Sequence, residues 1–144
     1  MEETFRHITI HDSEFGRWLR WMDAICFPDY EPFEFDHTNW YVAMYKDTVI
    51  GYCGWRYVNN SVGELCRSGV LPDWRGDGLQ SKMISYRENV MKSKGIVISV
   101  TTTYQNNFVS MNNLIKAGYL TCASEDWPNV DGLKNGSVYW KKKL

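Results

Sequence analysis

The stretch of this 144-residue chain best suited to chemistry runs Gly69-Val70-Leu71-Pro72-Asp73-Trp74-Arg75-Gly76-Asp77-Gly78-Leu79-Gln80-Ser81-Lys82. A β-rich run ends there, Pro72 removes a ladder donor, and Arg75-Gly76-Asp77-Gly78 leads directly into a helical pattern. Two glycines let a backbone take positive φ angles and approach a ligand closely. The helix start behind them offers unpaired N–H groups and the positive end of a dipole, which together suit a pyrophosphate. Arg75 either adds charge to that site or points to solvent. Spacing excludes two other phosphate loops. A P-loop needs Gly before Lys-Ser/Thr, whereas Ser81 precedes Lys82 and Met83 follows it; a dinucleotide fingerprint needs a third glycine where Ser81 stands. The Arg-Gly-Asp tripeptide works in adhesion only outside the cell and is read here as chance. Taken alone, the loop is an ordinary strand-to-helix turn.

The elements around it follow from periodicity. Phe5, Ile8 and Ile10 suggest a strand over residues 5–10, and Asp12 or Ser13 can cap the helix that follows. Phe15, Trp18, Leu19, Met22 and Ile25 fall on one helical face, which Pro28 ends. Residues 27–39 mix aromatic and acidic side chains and read as a loop or broken helix. Strands are expected over 40–45 and 48–58 around a Lys46-Asp47 turn, then over 64–71 after a turn at Asn59-Asn60 and Gly63. Residues 78–94 form the next helix, with Gly95 as its terminator. The β-branched run 96–102 reads as a strand buried on both faces. Asn106 or Asn107 caps a short helix ending at Ala117-Gly118. Residues 126–136 make a surface excursion, and 138–140 a final strand.

Composition narrows the function classes. A net charge of −1 gives no electrostatic footprint for nucleic acid, and Lys141 to Lys143 read as a solvated tail. No apolar run approaches the roughly 20 residues that span a bilayer, and no secretory signal is recognised, so no membrane partner is expected. Cys26, Cys53, Cys66 and Cys122 are scattered, and His7, His11 and His37 form no ligand pattern. The expectation is therefore no metal, reduced thiols and a cytoplasmic setting. Seven Trp and nine Tyr are many for this length; most are expected in the core, because aromatic rings bury large apolar areas, and a surplus beyond it would be available to line a pocket.

A second motif joins the loop. Asn107-Phe108-Val109-Ser110-Met111-Asn112-Asn113-Leu114-Ile115-Lys116-Ala117-Gly118-Tyr119 is similar to the N-x-x-S-x-x-x-L-x-K-x-G-F/Y helix of the GNAT acetyltransferases. Arg75 and Gly78 match the first and fourth positions of that family's cofactor loop, Q/R-x-x-G-x-G/A; Gln80 stands at the last, where Gly or Ala is usual. Order and separation of the motifs agree, and the resemblance in element order covers nearly the whole chain. It implies one α/β domain over residues 1–144. Its centre would be a mixed, twisted sheet of six to seven strands flanked by about four helices, with the fourth and fifth strands splayed.

The resemblance also implies an activity: acetyl transfer from acetyl-CoA to a primary amine by direct attack. Ser68, Gly69 and Val70 would give backbone contacts to the cofactor at a bulge, with Val70 N–H facing developing negative charge. Arg75, Gly76, Asp77, Gly78, Leu79, Gln80 and Ser81 would hold its phosphates, and Asn107 would cap a helix and touch the cofactor. Glu64, six residues before Val70, matches the offset of the catalytic glutamate in the histone acetyltransferase branch, although a strand-end glutamate facing water fits equally; Asp36 and His37 are further candidates. Leu114 occupies the position of the family's usual acid, a tyrosine, leaving Ser110, Tyr104 or Tyr119 to substitute. The acceptor, a small amine or a protein Lys or N-terminus, would meet residues 29–36 with Trp40, Trp55, Tyr57 and Trp127 nearby, a cationic one being among the options; taken singly, each of these residues reads more simply as part of a solvated loop pinned by core aromatics. A homodimer is one assembly that the sequence leaves open. The competing readings are an acyl-CoA-binding module without efficient chemistry and an interaction protein using the scaffold as a surface.

Overall fold

The structure, a computed structural model, describes residues 2–8, 13–30, 37–128 and 136–144. Its elements in chain order are β1 (Thr4–Ile8), α1 (Ser13–Cys26), β2 (Asn39–Tyr45), β3 (Thr48–Tyr57), β4 (Val62–Leu65), β5 (Gly69–Val70), α2 (Leu79–Ser93), β6 (Ile98–Tyr104), α3 (Phe108–Lys116), β7 (Leu120–Cys122) and β8 (Ser137–Lys143). Short 3-10 turns cover Pro72–Trp74 and Ser124–Asp126. The architecture is mixed α/β, with eight strands and three α-helices among the described residues, against the six to seven strands and four helices expected. Two compact units divide it: Met1–Arg56 with Cys66–Met83, and Tyr57–Leu65 with Ile84–Leu144.

In the first unit β1 pairs antiparallel with β2, β2 with β3, and β3 with β5. Trp40 through Ala43 and Ile50 through Trp55 are buried without alternation, the mark of strands covered on both faces. Leu19 and Met22 of α1 pack with Ile8, Trp40, Val42 and Tyr52 into the core. The helix is turned slightly from its expected orientation: Trp18 and Ile25 sit at the exposed rim, and Asp23 is buried instead.

The segment 64–71, expected as one strand of a meander, is two strands with different partners. β5 pairs with β3, while β4 runs parallel to β6 within the second unit. Gly69 serves close packing there: an added Cβ would lie 2.7 Å from both Cys26 Sγ and a Tyr52 ring carbon. The register shift described between β2 and β3 falls at Ala43/Met44 instead.

In the second unit the ladder order is β4-β6-β8-β7. Val62, Val100, Trp127 and Tyr139 form its apolar cluster. Gly63, expected in a turn, lies in β4, where a Cβ would meet Met91 Sδ at 2.6 Å. Both remaining helices end in the same device. Gly95 N–H bonds Lys92 O and Ile96 N–H bonds Met91 O; Gly118 N–H bonds Ile115 O and Tyr119 N–H bonds Leu114 O. These are Schellman caps, with the glycines at φ 84° and 94°. Because Ile96 is spent on the first cap, β6 starts two residues later than expected.

Candidate functional site

The loop between β5 and α2 belongs to the first unit and is built by local bonds. Leu71 N–H donates to Ile50 O at 2.9 Å, carrying the chain off the ladder. The turn Pro72–Trp74 follows, and Arg75 N–H closes it onto Pro72 O at 3.3 Å. Gly76 and Gly78 then take φ angles of 90° and 81°, with nothing within 4 Å of where a Cβ would stand. Backbone conformation, not crowding, requires glycine at both places. Asp77 between them is exposed.

Leu79 opens α2 with its side chain buried, reaching the space over Gly51 and anchoring the helix start. The N–H groups of this first turn have no preceding carbonyl to bond and carry the positive dipole end. Gln80 and Ser81 are half-buried in the same turn. The residues present therefore fit an anionic, phosphate-bearing group: two positive-φ glycines with open space, followed by a 15-residue helix whose first turn presents donors.

Two side-chain bonds shape this loop. Arg75 is exposed, and its Nε donates to Val70 O at 2.9 Å, tying the side chain to the strand the loop leaves. Ser68 Oγ donates to Gln80 Oε1 at 2.9 Å, joining the residue ahead of β5 to the first turn of α2. Val70 O also receives the Cys26 thiol, at 3.5 Å. Burial pushes that thiol up, and the Arg75 guanidinium beside it offsets part of the rise. Lys82, also in the helix start, pairs with Glu3 at 2.9 Å. That cation holds the Glu3 carboxyl below its ordinary range.

Beside β5 lies a polar cluster that the sequence does not announce. Tyr52 Oη donates to Asp23 Oδ1 at 2.6 Å, and Arg67 Nη1 reaches Asp23 Oδ2 at 2.9 Å. The Arg67 guanidinium also lies over the Phe27 ring, 4.7 Å from its centroid. Burial, with the Asp23 carboxylate in second place, lifts the Tyr52 phenol far above its ordinary range. Asp23 lies three residues after Arg20 and four before Phe27, and no spacing rule marks it as the inward exception on its helix.

In the second unit Glu64 is buried on β4, in register with Val100 of β6. It does not face open water. Asn107 caps α3, its Oδ1 accepting from Ser110 N–H at 3.3 Å, as expected of a cap. Ser110 is half-buried, and Leu114 is buried in the helix interior face. The Tyr119 hydroxyl is buried and 2.7 Å from Ser99 Oγ, and burial raises its pKa. Tyr104 is exposed.

The acceptor-side rings divide. Trp40, Trp55 and Trp127 are at most 1% exposed and belong to the cores, the simpler of their two expected readings, whereas Tyr57 is half exposed. Asp29, Tyr30 and His37 are exposed; Asp36 and the rest of residues 31–36 lie outside the described residues. No group of metal-ligating side chains occurs among the described residues. No helix there is long and apolar enough to cross a membrane.

Comparisons with known proteins agree with this geometry. An acetyltransferase from Streptococcus agalactiae superposes with a TM-score of 0.80 at 13% identity, covering 99% of this chain and 98% of that one. A GNAT family acetyltransferase from Elizabethkingia anophelis with acetyl-CoA bound gives 0.76 at 14% identity, covering 99% and 98%. The PaiA N-acetyltransferase from Thermoplasma acidophilum, in complex with coenzyme A, gives 0.72 at 17% identity over 100% of both chains. No curated protein matches in sequence. The sequence profile described as "Acetyltransferase (GNAT) family" matches residues 7–119, which take in the glycine loop, Glu64 and the α3 motif alike. With the profile over most of its length, the chain belongs to the GNAT acetyltransferase family.

Proposed function

We propose that this chain is an N-acetyltransferase that moves an acetyl group from acetyl-CoA to a primary amine by direct attack. The observation carrying the reading is the loop at Gly76 and Gly78, whose positive φ angles leave the start of α2 open to an anion. When bound, acetyl-CoA supplies a thioester that a neutral amine can attack. Gly76 through Ser81 hold its phosphates through backbone N–H groups, and Ser68, Gly69, Val70 and Asn107 contribute further contacts. Val70 N–H is the donor for negative charge that develops at the carbonyl.

An alkylamine has a pKa of about 10 and arrives protonated at neutral pH. Glu64, buried on β4, takes that proton directly or through water. Ser110 is the proton donor on the leaving side; a thiol of pKa about 8.5 is a tolerable leaving group even without one. The acceptor is a small amine or a protein Lys or N-terminus, a cationic one drawn by Asp29 and Tyr30. The reading takes residues 1–144 as a single catalytic domain in a reducing, cytoplasmic setting, with a homodimer as one assembly.

One observation favours a second reading, an acyl-CoA-binding module without efficient catalysis. Leu114 is buried where the family's acid usually stands, and Tyr119 is committed to Ser99. Thermal-shift titration with acetyl-CoA, CoA and ATP tests the cofactor, since a ligand of the folded state raises Tm. A saturable shift with the CoA species alone supports both readings, and no shift at millimolar CoA sinks both. Thiol release across an amine panel then separates them. In an active enzyme Glu64→Gln lowers turnover while CoA affinity stays.

A further inference from the structure

Gln80 is a long side chain at a loop position where a small one normally lets phosphate reach the backbone. Its carboxamide oxygen is an acceptor, as phosphate oxygens are. In the first turn of a helix, a Gln or Glu side chain readily reaches back to unpaired N–H groups and satisfies them itself. Left alone, Gln80 would therefore compete with the cofactor for the same donors. Instead Oε1 is 2.9 Å from Ser68 Oγ, and both residues are partly buried within the first unit.

We propose that Ser68 is a positioning residue for cofactor binding, which holds the Gln80 carboxamide oxygen and so leaves the α2 N–H groups to phosphate. This rests on the acyl-CoA reading above. The hydroxyl acts through Gln80, not on the cofactor. Removing it releases an internal competitor, and removing the carboxamide as well makes the hydroxyl dispensable.

The test is a double-mutant cycle read by calorimetric Kd for CoA, with the Tm of each ligand-free variant as a folding control. Ser68→Ala should weaken CoA binding about threefold to tenfold, the range of one hydrogen bond. Gln80→Ala removes the carboxamide and keeps the backbone N–H of residue 80, so in that background Ser68→Ala should change the Kd no further. Ser68→Thr, which keeps the hydroxyl, should restore wild-type affinity. An equal loss from Ser68→Ala in both backgrounds would show the hydroxyl acting on the cofactor directly and would overturn the proposal. So would an unchanged Kd in Ser68→Ala. Wild type that binds no CoA would instead remove the acyl-CoA reading, and this inference with it.

Discussion

Arg75 Nε ends 2.9 Å from the carbonyl oxygen of Val70, so the side chain opening the loop pattern is tied to the strand the loop leaves. A fixed fork of N–H donors can do this; an ammonium on a flexible stem cannot reproduce it. Arg75→Ala should weaken CoA binding about threefold to tenfold, the loss of a hydrogen bond from an exposed charged group. Arg75→Lys should recover little of that. Equal affinity for Lys and Arg in a calorimetric titration would mean that charge alone matters.

Gly76 and Gly69 should respond oppositely to alanine. Gly76→Ala places an L-residue at φ 90° in open space, so the fold survives with about 1–2 kcal/mol of local strain while CoA affinity falls. Gly69→Ala drives a methyl into Cys26 and Tyr52, so it should damage folding itself. Urea denaturation beside CoA titration distinguishes the two patterns.

Asp23 joins α1, β3 and the chain ahead of β5 through Tyr52 and Arg67. Asp23→Ala leaves a largely covered guanidinium and a buried phenol without their shared partner, and should cost about 3 kcal/mol. Tyr52→Phe removes one bond and keeps the ion pair, so about 1 kcal/mol is expected. Chemical denaturation of both variants checks the order; a larger loss for Tyr52→Phe would contradict it.

Tyr52 and Tyr119 set an alkaline limit. Both phenols stay protonated in the fold well above the ordinary value of 10.0. Above that pH the unfolded chain sheds these protons and the folded one keeps them. Stability is thus whole below pH 10 and falls above it, by about 1.4 kcal/mol per pH unit for each phenol. Denaturation midpoints measured from pH 8 to 11 should show the fall, and Tyr119→Phe should reduce its slope.

In the second unit Lys142 pairs with Glu88 at 3.0 Å, and Glu88 is mostly covered. Lys142→Met strands that carboxylate and should cost about 2–3 kcal/mol, whereas replacing both residues by apolar ones should cost less. Thermal unfolding of the single and double variants decides between these outcomes.

Much of the fold is legible in the chain because its signals are local. The φ demands of Gly76, Gly78, Gly95 and Gly118, the Asn107 cap and the apolar spacing of α2 each depend on a few neighbouring residues. β7 leaves no mark in the sequence, because a three-residue strand with two exposed positions has no periodicity to read. The division of 64–71 is equally unmarked, because a continuous run gives no sign that its halves pair with different strands.

By itself, then, the sequence determined the order of the longer elements, the glycine turn before α2 and the family, all written in contiguous residues. Only tertiary structure decided that Trp40, Trp55 and Trp127 are core, that Glu64 is buried, and that Tyr119 is spent on Ser99. It alone brought Asp23 to Arg67 and Ser68 to Gln80, 44 and 12 residues apart. Burial and hydrogen-bond partnership depend on which distant segments meet, and spacing along one chain carries no record of that.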